Sequence, residues 1–212
     1  MARKALEKRS YNFDISTRSR EDGTRELTGR PIVYNSRTNL GPFDEIIDPG
    51  ALDGTDLTDV RFLINHDLSR IPLARSRRNN GNSTMQLTPD TEGLSLDWVR
   101  LDVGNNADAR ALCSAVERGD ISGMSIMFSI DGEKWDDLQS DHPTRHVTKI
   151  GSIVEVSACT FPAYTSTEIS ARSKEALENA KAVLERAREL RAKSPEGDLE
   201  LEKAKLEFIS KM

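Results

Sequence analysis

The chain has 212 residues, of which 36% are hydrophobic and 31% charged, and its formal net charge is −5 at pH 7. This length suits one large domain, or one domain with an extension, and the apolar share fills one core without spreading it along the whole chain. The acidic balance and the 5% aromatic content argue against nucleic acid as a partner, because phosphates need cations and bases need rings to stack on. No run approaches the ~18 apolar residues of a membrane span. The opening Met1-Ala-Arg-Lys is too polar for a signal peptide. Cys113 and Cys159 both sit in apolar settings and read as reduced core residues of a protein used inside a cell.

Residues 1–25 form a polar segment that closes on the turn-like Arg20-Glu-Asp-Gly-Thr24. Within it, residues 11–15 alternate apolar and polar as a half-buried strand does. Residues 27–34 and 43–48 are further strands bounded by Gly and Pro, and Asp48-Pro-Gly-Ala51 is a turn. The apolar run 60–64 predicts a short buried strand that delivers His66 where strand meets loop. Residues 85–101 alternate on both sides of Pro89-Asp-Thr-Glu-Gly93 and predict a hairpin. Residues 106–118 predict a helix: Ala109, Leu112, Cys113 and Val116 recur at helical spacing, Asn105 or Asn106 caps the start, and Gly119 stops it. A strand over 122–130, a polar connection over 131–145 and a long strand region over 146–160 follow. Many strands with one or two helices indicate an α+β fold, or a β-barrel with helices packed on it.

After Pro162 the composition changes. Residues 173–191 predict a long helix with a narrow stripe of Leu177, Ala180, Val183, Leu184, Ala187 and Leu190. Ser194-Pro-Glu-Gly-Asp198 breaks it, and 199–212 predict a second short helix. The expected organisation is a polar segment 1–25, a domain 26–171 and a charged helical tail 172–212. Such a tail either folds back on the core, or projects as an arm for a partner helix or as a processed extension; the thin stripe favours the second.

Three blocks occur in fixed order: Phe62-Leu-Ile-Asn-His66-Asp67, Ser122-Gly-Met-Ser125-Ile-Met-Phe128, and Glu155-Val-Ser-Ala-Cys-Thr-Phe-Pro162-Ala-Tyr164. A histidine, a serine and a carboxylate each have a role in acyl transfer. A serine hydroxyl is a weak nucleophile until an imidazole takes its proton, and the imidazole works best with a third group fixing its tautomer. Glu155 interrupts the apolar run Ile153-Val-Glu-Val156, and a buried carboxylate needs a partner, which a His66 N–H supplies. Strand alternation puts Ser157 on the face of Glu155. On an isolated reading, Ser125 is a plain strand residue, His66 a loop histidine bonded to backbone, and Glu155 an outward-facing strand residue with Val154 and Val156 on the other face.

The blocks resemble those of the tailed-phage prohead (procapsid maturation) protease family, whose fold is related to that of assemblin, the herpesvirus maturation protease. The resemblance runs from Gly29 to Tyr164 through short segments. Gly29-Arg-Pro-Ile-Val-Tyr-Asn35 resembles the family's opening strand, and Phe43-Asp-Glu-Ile-Ile-Asp-Pro-Gly-Ala51 its Glu-x-Ile-x-x-Gly-Ala element. Asn65-His66-Asp67, Gly93-Leu94, Met124-Ser125-Ile-Met-Phe128, Glu155-Val-Ser157 and Phe161-Pro-Ala-Tyr164 continue it. Met127 and Ala74 stand where the family often has glycine, and neither removes a reacting group.

The resemblance implies an antiparallel β-barrel with packed helices, extended by C-terminal helices. It also implies a serine endopeptidase with Ser125 as nucleophile, His66 as general base and Glu155 as third member. His146 is the rival third member, because viral relatives with the assemblin fold use a second histidine. Arg145 and nearby backbone are the oxyanion-hole candidates. Implied substrates are the major capsid protein, scaffold segments and the protease itself, inside the assembling procapsid in the host cytoplasm. No cofactor is required. Self-association through the C-terminal helices is expected, with no nucleic acid and no membrane as partner.

His142-Pro-Thr-Arg-His146 has a zinc-like H-x₃-H spacing, but Pro143 lies inside it and no third ligand follows, so no metal is expected. Arg70, Arg75, Arg77 and Arg78 form a small basic patch beside His66 that reads as a solvated face or a substrate-contacting loop. The competing functional class is a non-catalytic scaffolding or capsid-assembly protein that keeps the protease fold. The joint presence of His66, Ser125 and Glu155 speaks against it.

Overall fold

The computed structural model describes residues 6–12, 15–21, 23–160 and 171–194, with backbone alone for 10–12 and 171–176. Eleven strands and two helices are found there, numbered in chain order. They are β1 (Leu6–Asn12), β2 (Ser16–Ser19), β3 (Arg25–Val33), β4 (Thr38–Asn39), β5 (Asp44–Ile47), β6 (Arg61–Ile64), β7 (Ala74–Arg75), β8 (Met85–Pro89), β9 (Gly93–Leu101), α1 (Ala107–Glu117), β10 (Gly123–Asp136), β11 (Thr144–Cys159) and α2 (Ala171–Ala192). The class is α+β. One sheet runs β1-β10-β11-β5-β4, with β6 on β11 and β7 on β6; the other runs β2-β3-β9-β8. No closed barrel is found among the described residues.

The chain clusters into two compact units. The first comprises residues 1–36, 46–134 and 146–168 and holds the larger core. Leu27 and Ile32 of β3, Met85 and Leu87 of β8, and Leu94, Leu96, Val99 and Leu101 of β9 supply one side of it. Phe62, Met124, Ile126, Phe128, Val156 and Ala158 supply the other. Burying side chains of this size contributes about 1.5–3 kcal/mol each.

Helix α1 follows from its sequence almost residue by residue. The Asn106 side chain accepts from the Asp108 and Ala109 N–H groups at 3.0 and 3.1 Å, satisfying two donors that the first turn leaves open. Ala109, Leu112, Cys113 and Val116 are buried, and Gly119 leaves the helix at φ +79. Burial pushes the Cys113 thiol pKa up.

The hairpin β8–β9 turns on Asp90, whose Oδ1 accepts from Glu92 and Gly93 N–H at 2.8 and 2.9 Å. Gly93 is required there: its φ is +146, and an added Cβ would stand 2.1 Å from the Ile32 carbonyl oxygen. Arg30 grips Asp90 with two bonds of 2.7 Å. This guanidinium, with the two turn N–H groups, pulls the Asp90 carboxyl down to about 2 against the opposing effect of burial.

The expected polar connection 131–145 is shorter than its sequence suggests. β10 continues to Asp136 and β11 starts at Thr144. Over 131–136 most side chains are exposed on both faces, so no apolar alternation marks that strand.

The second unit comprises residues 37–45, 135–145 and 169–212. Its core is Phe43, Leu138, Ala180, Leu184 and Ala187, and Phe43 meets the Trp135 ring edge-on at 4.9 Å between centroids. Arg188 of α2 donates to the Leu138 and Ser140 carbonyls at 3.0 and 2.7 Å. Phe43 and Leu138 therefore cover the middle of the α2 stripe, Ala180, Leu184 and Ala187, while Leu190 at its end stays exposed. The predicted break at 194–198 and second helix at 199–212 lie outside the described residues, apart from Ser194.

Candidate active site

His66 reaches its position through a strained turn. Strand β6 pairs in parallel with β11, Glu155 opposite Arg61 and Ser157 opposite Leu63. The chain then reverses, with Asp67 N donating to Ile64 O at 3.1 Å and both central residues left-handed: Asn65 at φ 53 and His66 at φ 59. Left-handed backbone costs a non-glycine residue roughly 1–2 kcal/mol. Four bonds to β11 and the residue after it offset this. Asn65 N donates to Ala158 O at 3.0 Å, and Asn65 Nδ2 to Thr160 Oγ1 at 2.9 Å. Thr160 N donates to Asn65 Oδ1, and His66 N to Ser157 Oγ, both at 3.0 Å. Strain fixed in this way is characteristic of a positioned functional residue.

The turn sets the imidazole on Glu155. His66 Nδ1 hydrogen-bonds Glu155 Oε1. The carboxylate is 0% exposed, and its second oxygen accepts from Ser157 Oγ at 2.5 Å. Both Glu155 oxygens thus have partners, as a buried carboxylate requires. An Nδ1–H donated to the carboxylate leaves Nε2 as the acceptor, the tautomer a general base needs. Ser157 ties the constellation together: it donates to Glu155 and accepts from the His66 backbone. The alternation Glu155-x-Ser157 signalled their common face, but the hydroxyl's supporting part was not read from it.

Ser125 lies on β10, the strand beside β11. Met124, Ile126 and Phe128 belong to the core cluster, so alternation turns Ser125 to the opposite face. Val156 and Ala158 are likewise core residues, which turns Glu155 and Ser157 to that same opposite face. Ser125 is fully buried, and its Oγ donates to the Arg9 carbonyl oxygen of β1 at 2.7 Å. Ser122, the other serine of its block, is exposed just before β10.

The other candidates are engaged elsewhere. His146 Nδ1 bonds Asp48 Oδ1 at 2.7 Å, and His142 Nε2 bonds Asp44 Oδ1 at 2.9 Å. The two histidines of the zinc-like spacing thus have separate carboxylate partners. Among the described residues no group of three His, Cys, Asp or Glu is placed to hold a metal. Arg145 is buried against Glu45 at 3.2 Å and faces the Trp135 ring. The end of the third block, Phe161 to Tyr164, lies outside the described residues.

The structure joins His66 to Glu155 and sets Ser125 on the same sheet face one strand from Glu155, the three residue types that a serine hydrolase employs. The family model described as Caudovirus prohead serine protease matches residues 13–182, and the chain belongs to that family. It is a serine protease of phage capsid maturation. No curated protein and no solved structure matches the chain.

Proposed function

We propose that the chain cleaves peptide bonds through an acyl-enzyme at Ser125, with His66 as general base and Glu155 as the group that orients it. The observation that carries this reading is the bond from His66 Nδ1 to a fully buried Glu155. Ser125 Oγ attacks the scissile carbonyl and gives its proton to His66 Nε2. The tetrahedral intermediate collapses, the C–N bond breaks, and the leaving amine takes that proton. Water then attacks the ester, again giving a proton to Nε2, and Ser125 is regenerated. Glu155 stays ionised and stabilises the imidazolium. No cofactor enters these steps.

The substrates in this reading are scaffold segments, extensions of the major capsid protein and the protease itself, met inside the procapsid in the host cytoplasm. Family membership supports this. The tail 172–212 serves as the assembly arm, through association with scaffold-like helices or a second copy of this chain. Its support is the charged exposed side of α2, with Glu178, Lys181, Glu185, Arg186 and Glu189. Co-expression with the cognate capsid and scaffold proteins tests the catalytic claim: Ser125→Ala should abolish processing and leave a folded protein, and normal cleavage by that variant would remove the claim.

A further inference from the structure

Strand β1 runs antiparallel along β10, from Leu6 opposite Ser129 to Asn12 opposite Gly123, with Ser10 opposite Ser125. An extended substrate presented to a nucleophile in mid-strand would lie the same way, main chain against the free edge of β10. The two neighbours of β10 in the sheet are β1 and β11, so this edge is the one that β1 fills. A peptide carbonyl already touches the nucleophile, since Ser125 Oγ donates to Arg9 O at 2.7 Å.

The polarity of that contact is wrong for attack. A hydroxyl has one proton, and here it is given to the carbonyl oxygen. In a productive complex the hydroxyl's lone pair meets the carbonyl carbon and other donors hold the oxygen. Side chains hold β1 in place as well. Arg9 is paired with Glu7 and lies over the Phe128 ring at 5.9 Å. These side chains share the sheet face of Ile126 and Phe128, while Ser125 and Met127 are buried on the other face.

We propose that residues 6–12 are an intramolecular blocking strand, seated on the β10 edge where an extended substrate segment pairs, and that displacing β1 opens the site. The inference rests on Ser125 as nucleophile. It gives the substrate class as strand-forming segments read mainly through their backbone, with the residue before the scissile bond in the place of Arg9. In its present pose β1 inhibits.

Two full-length variants test this in opposite directions. Leu6 and Ser129 are opposite in the ladder, where Cα atoms are about 4.5–5.5 Å apart, within disulfide reach. Leu6→Cys/Ser129→Cys, once oxidised, should lock β1 down; the native Cys113 and Cys159 are buried. Lys8→Pro removes a strand N–H at an exposed position and should loosen β1. The readouts are labelling by a fluorophosphonate probe, with Ser125→Ala as background, and binding of a fluorescent peptide with the sequence of residues 6–12. The oxidised chain should label at background and recover on reduction. Lys8→Pro should label about tenfold faster than the parent, as expected when a minor open state limits access. It should also bind the peptide, which the locked chain should not. If the locked and reduced chains label equally fast above background, the blocking strand is overturned and the nucleophile stands. Should Lys8→Pro bind peptide while nothing labels above background, the strand site stands and the nucleophile assignment fails. Absence of both signals in Lys8→Pro overturns both.

Discussion

Ser157 shows how closely single side chains control this site. Its hydroxyl donates to the Glu155 carboxylate at 2.5 Å and accepts from the His66 N–H at 3.0 Å, so it holds both Glu155 and the turn that carries His66. Ser157→Ala removes both bonds. A hydrogen bond to a charged group contributes about 1.5–3 kcal/mol, so kcat should fall roughly ten- to hundredfold with KM little changed. Unchanged kcat in a peptide-cleavage assay would show that the Asn65 clamp suffices. Glu155→Gln should cost more, up to ~10⁴ in rate, because the buried charge that stabilises the imidazolium is gone while size is kept. His146, bonded to Asp48, should be insensitive by comparison. A severe loss in His146→Ala beside a mild one in Glu155→Gln would move the third role to His146.

At the scale of elements, the hairpin β8–β9 and helix α1 were legible because their signals are local. A turn sequence needs only its own residues, as Asp90 and Gly93 show, and so does a cap, as Asn106 shows. Gly93→Ala should destabilise the fold by roughly 2 kcal/mol or more, since the new Cβ would strike backbone that cannot move aside. Equilibrium unfolding with denaturant measures it. The Asp90–Arg30 pair adds a pH signature. The folded carboxyl titrates at about 2, below its ordinary 3.8, so its contribution is present above pH ~4 and fades as pH falls toward 2. Asp90→Asn should lower the melting temperature at pH 7 and converge on the parent near pH 2. A gap that persists at pH 2 would mean that charge is not what the pair supplies. The outer ends of β10 and β11 were not legible, because a ladder with both faces wet needs no apolar alternation. Nor could alternation choose between a barrel and two open sheets, since both bury one face of each strand.

Over the whole molecule, the three blocks named the candidates His66, Ser125 and Glu155, and the fold explains how His66 and Glu155 meet. Parallel pairing of β6 with β11 brings residues 66 and 155, 89 positions apart, together. What no sequence pattern showed was β1 on the strand of Ser125 or the cover over Ala180, Leu184 and Ala187, because both depend on which distant segment supplies the partner. Leu184 is buried with Phe43 and Leu138 in the second unit, so Leu184→Ala should cost about 2–5 kcal/mol there. Unchanged hydrogen exchange in residues 37–45 and 177–190 would show that this cluster carries no stability.

The central claim is that Ser125 is the nucleophile activated by His66 on Glu155. Its most direct test is to map, by peptide mass spectrometry, the residue that carries a fluorophosphonate adduct in preparations that process capsid substrate. The adduct should sit on Ser125 in the parent and vanish from it in His66→Ala. An adduct on Ser122 or Ser157, or undiminished Ser125 labelling without His66, would contradict the account.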